Sequence, residues 1–457
     1  MLLGISDGVP IERGFVKTAD GVLRPSYYDI AIRLDPAIKT IEGTVAIHAT
    51  LSSDAPGIQL TLSRDLTVDS VYVDGSIVAA RRAGDSLVVP IVARPDLANA
   101  RSVVVRVKYH GTPPANSLAF SESSGNFSAA TYGLPYRASG WWPSPGSTKM
   151  KADSTDVRIT VPSRYMAVSN GLLKGKSPEG GGWVTYHWAE RYPIYPDVVS
   201  IAVAEYASFS DSVRMEDGHM MPLTFFVFPD DSAKAHRDFG VFPALIRYYE
   251  SVLGPYPFSR EKYGVAEFAR QSFREHQTIP SLGSTFITGD RKNEPILAHE
   301  LAHQWFGNSL SVRNWRDVWL NEGLATYAAL MWLEHDKGRQ AYDAEIDRLA
   351  KQRYEGSIRL DDSTNIARMF TSTTFDKAAL MVHALRLRMG DAPFRAALRN
   401  YTAQNTYGLV STDDFRAAME AACGESLESF LRSWLDTDGT VPAFGGSTVS
   451  KCSGRQY

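Results

Sequence analysis

Hydrophobic and polar residues alternate along most of the first two hundred positions of the chain. Apolar residues at every second position share one face of a strand, and the polar residues between them share the other. Four runs follow this pattern: Tyr28, Ile30, Ile32 and Leu34; Val45, Ile47, Ala49 and Leu51; Val103, Val105, Val107 and Tyr109; and Val157, Ile159 and Val161. Turn-forming residues such as Asp74-Gly75 separate the runs. The pattern predicts an N-terminal all-β domain of antiparallel sheets over residues 1–208.

Helical periodicity replaces the alternation near residue 210. Asn293 followed by Pro295 predicts the start of a helix, and Gly307 predicts its end. A second helix is predicted from about Leu320 to His335, and further helices are predicted at about 375–389, 391–402, 412–423 and 426–435. We therefore expect an α+β multidomain fold, with a mainly helical domain over residues 209–440 and a short tail over 441–457.

The composition of the chain excludes few fold classes, but its charge argues against several kinds of binding partner. The chain has 457 residues, of which 44% are hydrophobic and 22% charged, and its formal net charge is −3. A balance this close to neutral gives no reason to expect nucleic acid or an anionic membrane as a partner. No apolar run is long enough to span a bilayer. We expect a globular protein that acts on small molecules or peptides.

The chain contains two cysteines, Cys423 and Cys452, which are too few for a disulfide framework. They could form a single bond, but two free thiols in a reducing compartment are the preferred interpretation. The first five residues are too short to form the core of a signal peptide. We therefore expect a cytoplasmic protein, with secretion after removal of a signal as the alternative.

The segment from His299 to His303 reads His-Glu-x-x-His. On a helix, residues four positions apart lie on the same face, so the two imidazoles can bind one metal ion. The intervening residue, Glu300, points to an adjacent face and can reach a water molecule on that metal. A chance pentapeptide is the alternative interpretation. The motif predicts a zinc site with Glu300 as its general base.

A third ligand is expected from the next helix. Glu322 follows His303 with eighteen residues between them, in the segment Trp-Leu-Asn-Glu-Gly. Two histidines and one carboxylate, with a fourth position left for water, are typical of catalytic rather than structural zinc sites. Taken alone, Glu322 could equally be a surface carboxylate near a helix N-terminus, where the helix dipole favours negative charge. Together with the two histidines it predicts one zinc ion per chain, bound by His299, His303 and Glu322.

This spacing, and the residues around it, resemble the aminopeptidase N family of zinc metallopeptidases (gluzincins), which includes leukotriene hydrolase. The flanking segments His-Gln-Trp-Phe-Gly-Asn and Trp-Leu-Asn-Glu-Gly are similar to family sequence, and the likeness extends to Pro25–Leu34, Trp142-Pro143 and Ser169–Gly171. The resemblance implies an N-terminal β domain and a thermolysin-like catalytic domain, without the large C-terminal helical domain of many relatives. It also implies zinc-dependent removal of N-terminal residues from peptides.

The residues that the family uses to bind a substrate's α-ammonium group differ in this chain. The family carries a glutamate within Gly-x-Met-Glu-Asn, and the matching positions retain Glu275 but have Arg274 and His276 in place of Met and Asn. Arg274 could pair with Glu275 and compete with a substrate amine. A second family anchor for the amine, Gln or Glu, falls on Leu134, which cannot bind an ammonium group. The resemblance therefore implies altered substrate recognition.

A third difference concerns the transition state. Relatives carry a tyrosine in a Tyr-x-Lys-Gly segment, and its hydroxyl stabilises the oxyanion. The matching segment here has Phe375, which has no hydroxyl. Loss of one oxyanion donor typically lowers turnover about 10²–10³-fold. Arg274, His276 or a tyrosine elsewhere could supply the missing donor.

Two functional alternatives accompany the leading interpretation, which is a zinc hydrolase that cleaves an amide bond in a small peptide or amino-acyl substrate. The first alternative is a zinc enzyme that acts on an ester, an epoxide or a modified amino-acyl compound. The second is a catalytically weak, zinc-bearing binding module. Retention of Glu300 counts against the second alternative, because a structural zinc site has no need of a base.

Overall fold

The computed structural model describes residues 23–35, 37–51, 57–91, 101–123, 125–133, 135–146, 148–439, 441–442 and 452. Up to about residue 204, the described chain forms mainly strands, as predicted. The largest sheet has eight strands, which lie in the order Leu172–Gly180, Trp183–Glu190, Ser154–Pro162, Leu23–Asp35, Thr40–Leu51, Arg101–Gly111, Leu66–Val73 and Ser76–Val78.

The alternating residues of this sheet face the core. Tyr28 and Ile30 are fully buried, as the period-two pattern requires. The prediction of purely antiparallel pairing is wrong at one place, because Leu23–Asp35 and Ser154–Pro162 pair in parallel. Alternation along one strand reports which face is buried but not the direction of its neighbour, so the sequence could not reveal this pairing.

Two smaller sheets complete the N-terminal domain. One contains Gly57–Thr61, Ser86–Pro90 and Arg81–Ala83, and the other contains Met166–Val168, Ala202–Ala204, Asn126–Thr131 and Leu118–Ser123. The predicted turn at Asp74-Gly75 joins two strands of the large sheet, with φ values of 49° and 85° at the two residues. Positive φ at both positions is typical of the tight turn that an Asp-Gly pair favours.

A five-stranded sheet follows where the sequence predicted mainly helices. Its strands lie in the order Ala207–Arg214, Met220–Val227, Tyr263–Phe268, Ser281–Gly283 and Phe273–Arg274. The prediction of helical structure from about residue 210 was therefore wrong for these segments. All six residues of Tyr263–Phe268 are buried, so both faces of this strand are covered and it has no alternation to detect.

Helices dominate the rest of the chain. The α-helices are Ser232–Phe239, Phe242–Leu253, Glu294–Ala302, Trp319–Lys337, Arg339–Ala350, Ile366–Met369, Ala378–Met389, Asp391–Gln404, Thr412–Cys423 and Glu428–Leu435. A π-helical turn spans Thr373–Lys377, and short 3₁₀ turns span Ala138–Gly140, Pro196–Val198, Pro229–Asp231, Ser284–Phe286 and Trp315–Asp317. Strands Ser311–Val312 and Leu409–Val410 form a two-stranded pair. The predicted domain boundaries remain a prediction. No helix among the described residues is both long and apolar enough to cross a bilayer.

Cys423 and Cys452 form a disulfide, so the expectation of two free thiols is wrong. Their Cα atoms lie 4.9 Å apart, and Cys423 is fully buried at the end of its helix. The backbone N–H of Cys452 also donates to the carbonyl of Arg388. Most of the predicted tail lies outside the described residues. A disulfide is typical of oxidising compartments, so it counts against the cytoplasmic location, which remains a prediction.

Removal of this disulfide is expected to destabilise the protein. The bond closes a segment with a sequence separation of 29, for which the chain-entropy model gives about 3–4 kcal/mol. We expect Cys452→Ser to lower the midpoint of guanidinium unfolding relative to the oxidised protein. Reductant should lower the wild-type midpoint similarly and leave the variant unchanged. Equal midpoints for the oxidised protein and the variant would show that the bond contributes nothing.

Candidate metal centre

The two histidines of the His-Glu-x-x-His motif converge at the end of a buried helix, Glu294–Ala302, hereafter the His299 helix. Asn293 occupies the N-cap position and Pro295 lies in the first turn, as predicted. His303 follows the last helical residue and keeps helical backbone angles, with φ −59° and ψ −20°. The i, i+4 relation therefore holds, and the Nε2 atoms of His299 and His303 lie 2.9 Å apart.

The His299 helix ends at Ala302, earlier than the predicted end at Gly307. Beyond it the carbonyl of His303 accepts from the N–H of Asn308, five residues later, and Trp305 and Leu310 are joined in the same way. This wider hydrogen bonding replaces the α-helical pattern before the glycine is reached. Gly307 then reverses the chain with a φ of 120°, which glycine adopts without steric penalty.

Glu322 completes a triangle of ligand atoms. It lies in the first turn of helix Trp319–Lys337, hereafter the Glu322 helix, as predicted. Its Oε2 atom is 3.5 Å from Nε2 of His299 and 3.4 Å from Nε2 of His303. Ligands held about 2.0–2.1 Å from a tetrahedral zinc ion are separated from one another by roughly 3.3–3.4 Å. The donor set and its spacing therefore fit one zinc ion, and these three residues are the one such cluster among the described residues.

Neighbouring groups orient both imidazoles. Nδ1 of His303 lies 2.9 Å from the carbonyl oxygen of Phe306, which fixes its proton there and leaves Nε2 free to bind metal. Nδ1 of His299 lies 3.3 Å from the hydroxyl of Thr326, one turn beyond Glu322 on the same helix. The sequence analysis did not identify Thr326, although its four-residue spacing from Glu322 could have indicated it.

The charges of the centre are strongly coupled. Burial alone would raise the pKa of Glu322, but the positive charge of His303 and the hydrogen bonds from both histidines lower it to about 2. Burial alone would lower the pKa of His303, but the charge of Glu322 raises it to about 10. Burial, aided by the charges of Glu275 and Glu322, raises the pKa of Glu300 to about 8. Glu322 is thus stabilised as an anionic ligand.

Glu300 is almost fully buried, and its Oε2 atom has no hydrogen-bond partner among the described residues. Its place in the motif puts it between the two histidine ligands. Because Oε2 of Glu300 forms no hydrogen bond with the described residues, this oxygen is free to move, which suits a group that must accept and release a proton. Its role as general base remains a prediction.

Glu275 lies close to the centre and forms no ion pair with a cation among the described residues. Burial raises its pKa, and the charges of His303 and Glu322 both act on it. The ion pair with Arg274 that the sequence suggested does not form. Arg274 instead donates to the carbonyl of Phe273 and lies 4.2 Å above the ring centroid of Tyr132. Leu134 lies outside the described residues.

His276 does not extend the centre. It is fully buried, and its Nδ1 atom contacts the hydroxyl of Ser281 at 3.3 Å. Burial, followed by the charge of Arg274, lowers its pKa to about 3. The ring is therefore neutral at physiological pH and unsuited to stabilise an oxyanion as a cation.

Phe375 lies against one of the metal ligands. Its ring stacks on the His299 ring, with centroids 5.7 Å apart and an interplanar angle of 17°. Phe375 lies in the π-turn that precedes Ala378–Met389, not in the α-helix predicted from residue 375. Gly323 permits the segment that carries Phe375 and Ala378 to pack closely against the Glu322 helix. A Cβ atom at position 323 would lie 2.5 Å from the side chain of Ala378.

Two tyrosines that the sequence analysis missed have buried hydroxyls near the centre. The hydroxyls of Tyr195 and Tyr263 have no hydrogen-bond partner among the described residues. Burial raises both pKa values, with smaller contributions from Glu275 for Tyr195 and from Glu300 for Tyr263. Neither belongs to a recognisable motif, so no sequence signal distinguished them from core tyrosines.

Two family models match the chain. The Peptidase M1 N-terminal domain matches residues 24–195, and the Peptidase family M1 domain matches residues 273–434. The second match contains every predicted metal ligand.

Curated relatives and solved structures agree with these matches. Aminopeptidase M1-D of Oryza sativa is 25% identical over 92% of this chain and 50% of its own length. Probable aminopeptidase 1 of Saccharolobus solfataricus is 24% identical over 63% of this chain and 39% of its own length. The chain thus spans half or less of the length of these relatives. An M1 zinc metallopeptidase of Deinococcus radiodurans, solved with a Tyr-Ser-Ala substrate, superposes with a TM-score of 0.79 at 24% identity and covers 93% of this chain and 96% of that one. This similarity establishes the two-domain fold.

Proposed function

This chain belongs to peptidase family M1, and on that basis we propose that it is a zinc-dependent hydrolase that removes N-terminal residues from peptides. The convergence of His299, His303 and Glu322 beside the buried carboxyl of Glu300 carries this proposal. The peptide bound by the Deinococcus metallopeptidase supports a peptide substrate here as well. The two curated relatives described above are aminopeptidases by name.

The metal and the side chains of the protein have separate roles in the reaction. A zinc ion held by His299, His303 and Glu322 would polarise the substrate carbonyl and lower the pKa of a bound water to roughly 7. Glu300 would accept the proton that the attacking water loses. Glu300 then delivers the same proton to the leaving nitrogen as the amide bond breaks. Glu275, which forms no ion pair with any described residue, binds the substrate's α-ammonium group.

Recognition of the substrate is the part of this proposal that departs from the family resemblance. Arg274 replaces a family methionine and carries a charge next to Glu275. Phe375 lacks the family hydroxyl, and this observation favours the second candidate, a zinc enzyme that acts on an ester or a modified amino-acyl compound. Esters depend less than amides on stabilisation of the oxyanion, because the ester carbonyl is more electrophilic and is attacked over a lower barrier.

A reporter panel separates the two candidates. Zinc-loaded protein is assayed with amino-acyl anilides and with the corresponding esters, with and without a chelator. The proposal predicts chelator-sensitive cleavage of the anilides. Cleavage of esters alone would favour the second candidate, and no cleavage of either would contradict both.

Restoring the missing hydroxyl is expected to increase turnover. Because Arg274 does not pair with Glu275, the amine position remains available and the oxyanion is limiting. We expect Phe375→Tyr to raise kcat on an alanyl anilide by up to about 10²-fold. KM should change little, since the oxyanion exists only in the transition state.

The matched control is Phe370→Tyr, which adds the same hydroxyl to a ring whose centroid lies 6.4 Å from that of Phe375. It should leave kcat unchanged. If Phe375→Tyr also gives no gain, the missing hydroxyl does not limit amide hydrolysis in this pocket.

A further inference from the structure

Arg274 carries a positive charge beside the metal centre that no carboxylate of the described chain neutralises through an ion pair. Its guanidinium donates only to the neighbouring carbonyl of Phe273, and its buried Nε atom has no hydrogen-bond partner among the described residues. It lies 4.2 Å above the Tyr132 ring, which attracts a cation weakly. Most donors of this guanidinium therefore have no acceptor.

Arg137 brings a second positive charge close to Arg274. A Cβ atom at Gly133 would lie 3.2 Å from Nε2 of His276, so the segment that carries Arg137 packs against the segment that carries Arg274. Arg137 is half-buried, and among residues that the structure describes its side chain makes neither a hydrogen bond nor an ion pair. Burial, followed by the charge of Arg274, lowers its pKa. The charge of Asp197 acts on it in the opposite sense, but the Asp197 carboxylate already accepts from the backbone N–H groups of Tyr136 and Ala138.

The Tyr132 ring holds Arg274 within electrostatic reach of Glu275 and Glu300. Arg270 lies 5.3 Å from the centroid of the same Tyr132 ring, and it donates to the hydroxyls of Tyr132 and Ser121. Arg270 therefore holds in place the Tyr132 ring on which Arg274 lies. The charge of Arg274 lowers the pKa of both Glu275 and Glu300, so this guanidinium lies within electrostatic reach of both.

Two half-buried guanidinium groups without a carboxylate partner are costly, because burial removes water and like charges repel. A carboxylate from a bound molecule would accept hydrogen bonds from both, and the planar fork of arginine suits that shape. Next to them Glu275 offers a negative charge for an ammonium group. The groups beside the metal centre thus present both charges needed by a residue that has an α-ammonium group and a side-chain carboxylate.

We propose that Arg274 and Arg137 bind the side-chain carboxylate of an N-terminal aspartate or glutamate, so that the enzyme prefers peptides that begin with an acidic residue. This inference rests on the proposed aminopeptidase function. Arg274 and Glu275 are adjacent, with Cα atoms about 3.8 Å apart, and the two groups they would bind belong to one substrate residue. A C-terminal carboxylate lies on the far side of the scissile bond and is less well placed.

The test compares glutamyl and glutaminyl anilides, which differ in charge but hardly in shape. The anilides have no C-terminal carboxylate, so any preference reports on the side chain. The wild-type protein is expected to show a kcat/KM for the glutamyl reporter about 10- to 100-fold above that for the glutaminyl reporter. Arg274→Gln should lower this ratio at least tenfold, and Arg274→Lys, which keeps the charge, should retain part of it.

The matched control is Arg432→Gln, which removes the same charge from a side chain that is 72% exposed on the last helix. It should leave the ratio unchanged, so that a general change in net charge is excluded. Arg137→Gln provides a second variant should Arg274→Gln fail to fold.

The outcomes separate this inference from the proposed function. Cleavage of both reporters with a ratio near or below one would overturn the acidic preference and leave the aminopeptidase proposal standing. If neither reporter is cleaved, the proposed function fails, and calorimetry with L-glutamate and L-glutamine then decides the inference alone. Tighter binding of L-glutamate, lost in Arg274→Gln, would support it, and equal binding would overturn it. Preference for dipeptides over their C-terminal amides, without a glutamyl preference, would also overturn it.

Discussion

Replacement of Glu300 by glutamine is expected to abolish hydrolysis while zinc remains bound. Glutamine has nearly the same shape as glutamate but cannot accept the proton that water loses during its attack. General acid–base catalysis of this kind contributes about 10²–10⁴-fold, so kcat on an alanyl or glutamyl anilide should fall by at least that factor. Glu300 is not among the three ligand residues, so the zinc content should stay at one ion per chain.

Two control measurements test whether loss of zinc or loss of the fold explains the lost activity. Elemental analysis must find the same zinc content in Glu300→Gln and in the wild type, and thermal unfolding must give a similar Tm. Wild-type kcat in a variant that passes both checks would remove Glu300 from the mechanism.

Replacement of His303 by alanine is expected to remove the metal. The Nε2 atom of His303 lies 3.4 Å from Oε2 of Glu322, and its Nδ1 is fixed by the carbonyl of Phe306. Two remaining ligands cannot form the three-residue set that holds catalytic zinc. After dialysis against a weak chelator, the variant should contain almost no zinc, whereas the wild type retains about one ion per chain.

His110→Ala is the matched control, because this imidazole is 53% exposed on the large sheet and pairs only with Asp69. It should retain zinc. Full retention in His303→Ala would mean that the metal, if present, is bound by other residues.

The sequence was informative where one face of an element is buried or where chemistry requires fixed spacing. The alternation at Tyr28 and Ile30 located its strand because only one face of that strand meets the core. The spacing of His299, His303 and Glu322 predicted that their side chains meet, because i, i+4 geometry and the following helix determine where they lie. Helix Trp319–Lys337 matched its prediction closely, and Gly338 follows its end as predicted.

Other features depend on contacts between segments that are far apart in the chain. Such contacts cannot be predicted from a single sequence. Tyr263–Phe268 is buried on both faces and shows no period. The π-turn around Phe375 packs closely against Gly323 of another helix, and the disulfide joins residues whose proximity no spacing reveals. The proximity of Arg137 and Arg274 also depends on contacts between distant segments. Arg274 was noted as a substitution, but its turn towards Tyr132 required the structure.

The most direct measurement is mass spectrometry of a tripeptide with a free N-terminus and of its N-acetylated form, each incubated with metal-free and zinc-restored protein. We expect release of the first residue only from the free peptide and only after zinc is restored, because Glu275 requires the ammonium group and the reaction requires the metal. Absence of release by the zinc-restored protein, or equal release by the metal-free protein, would contradict the assignment of this chain as a zinc-dependent aminopeptidase.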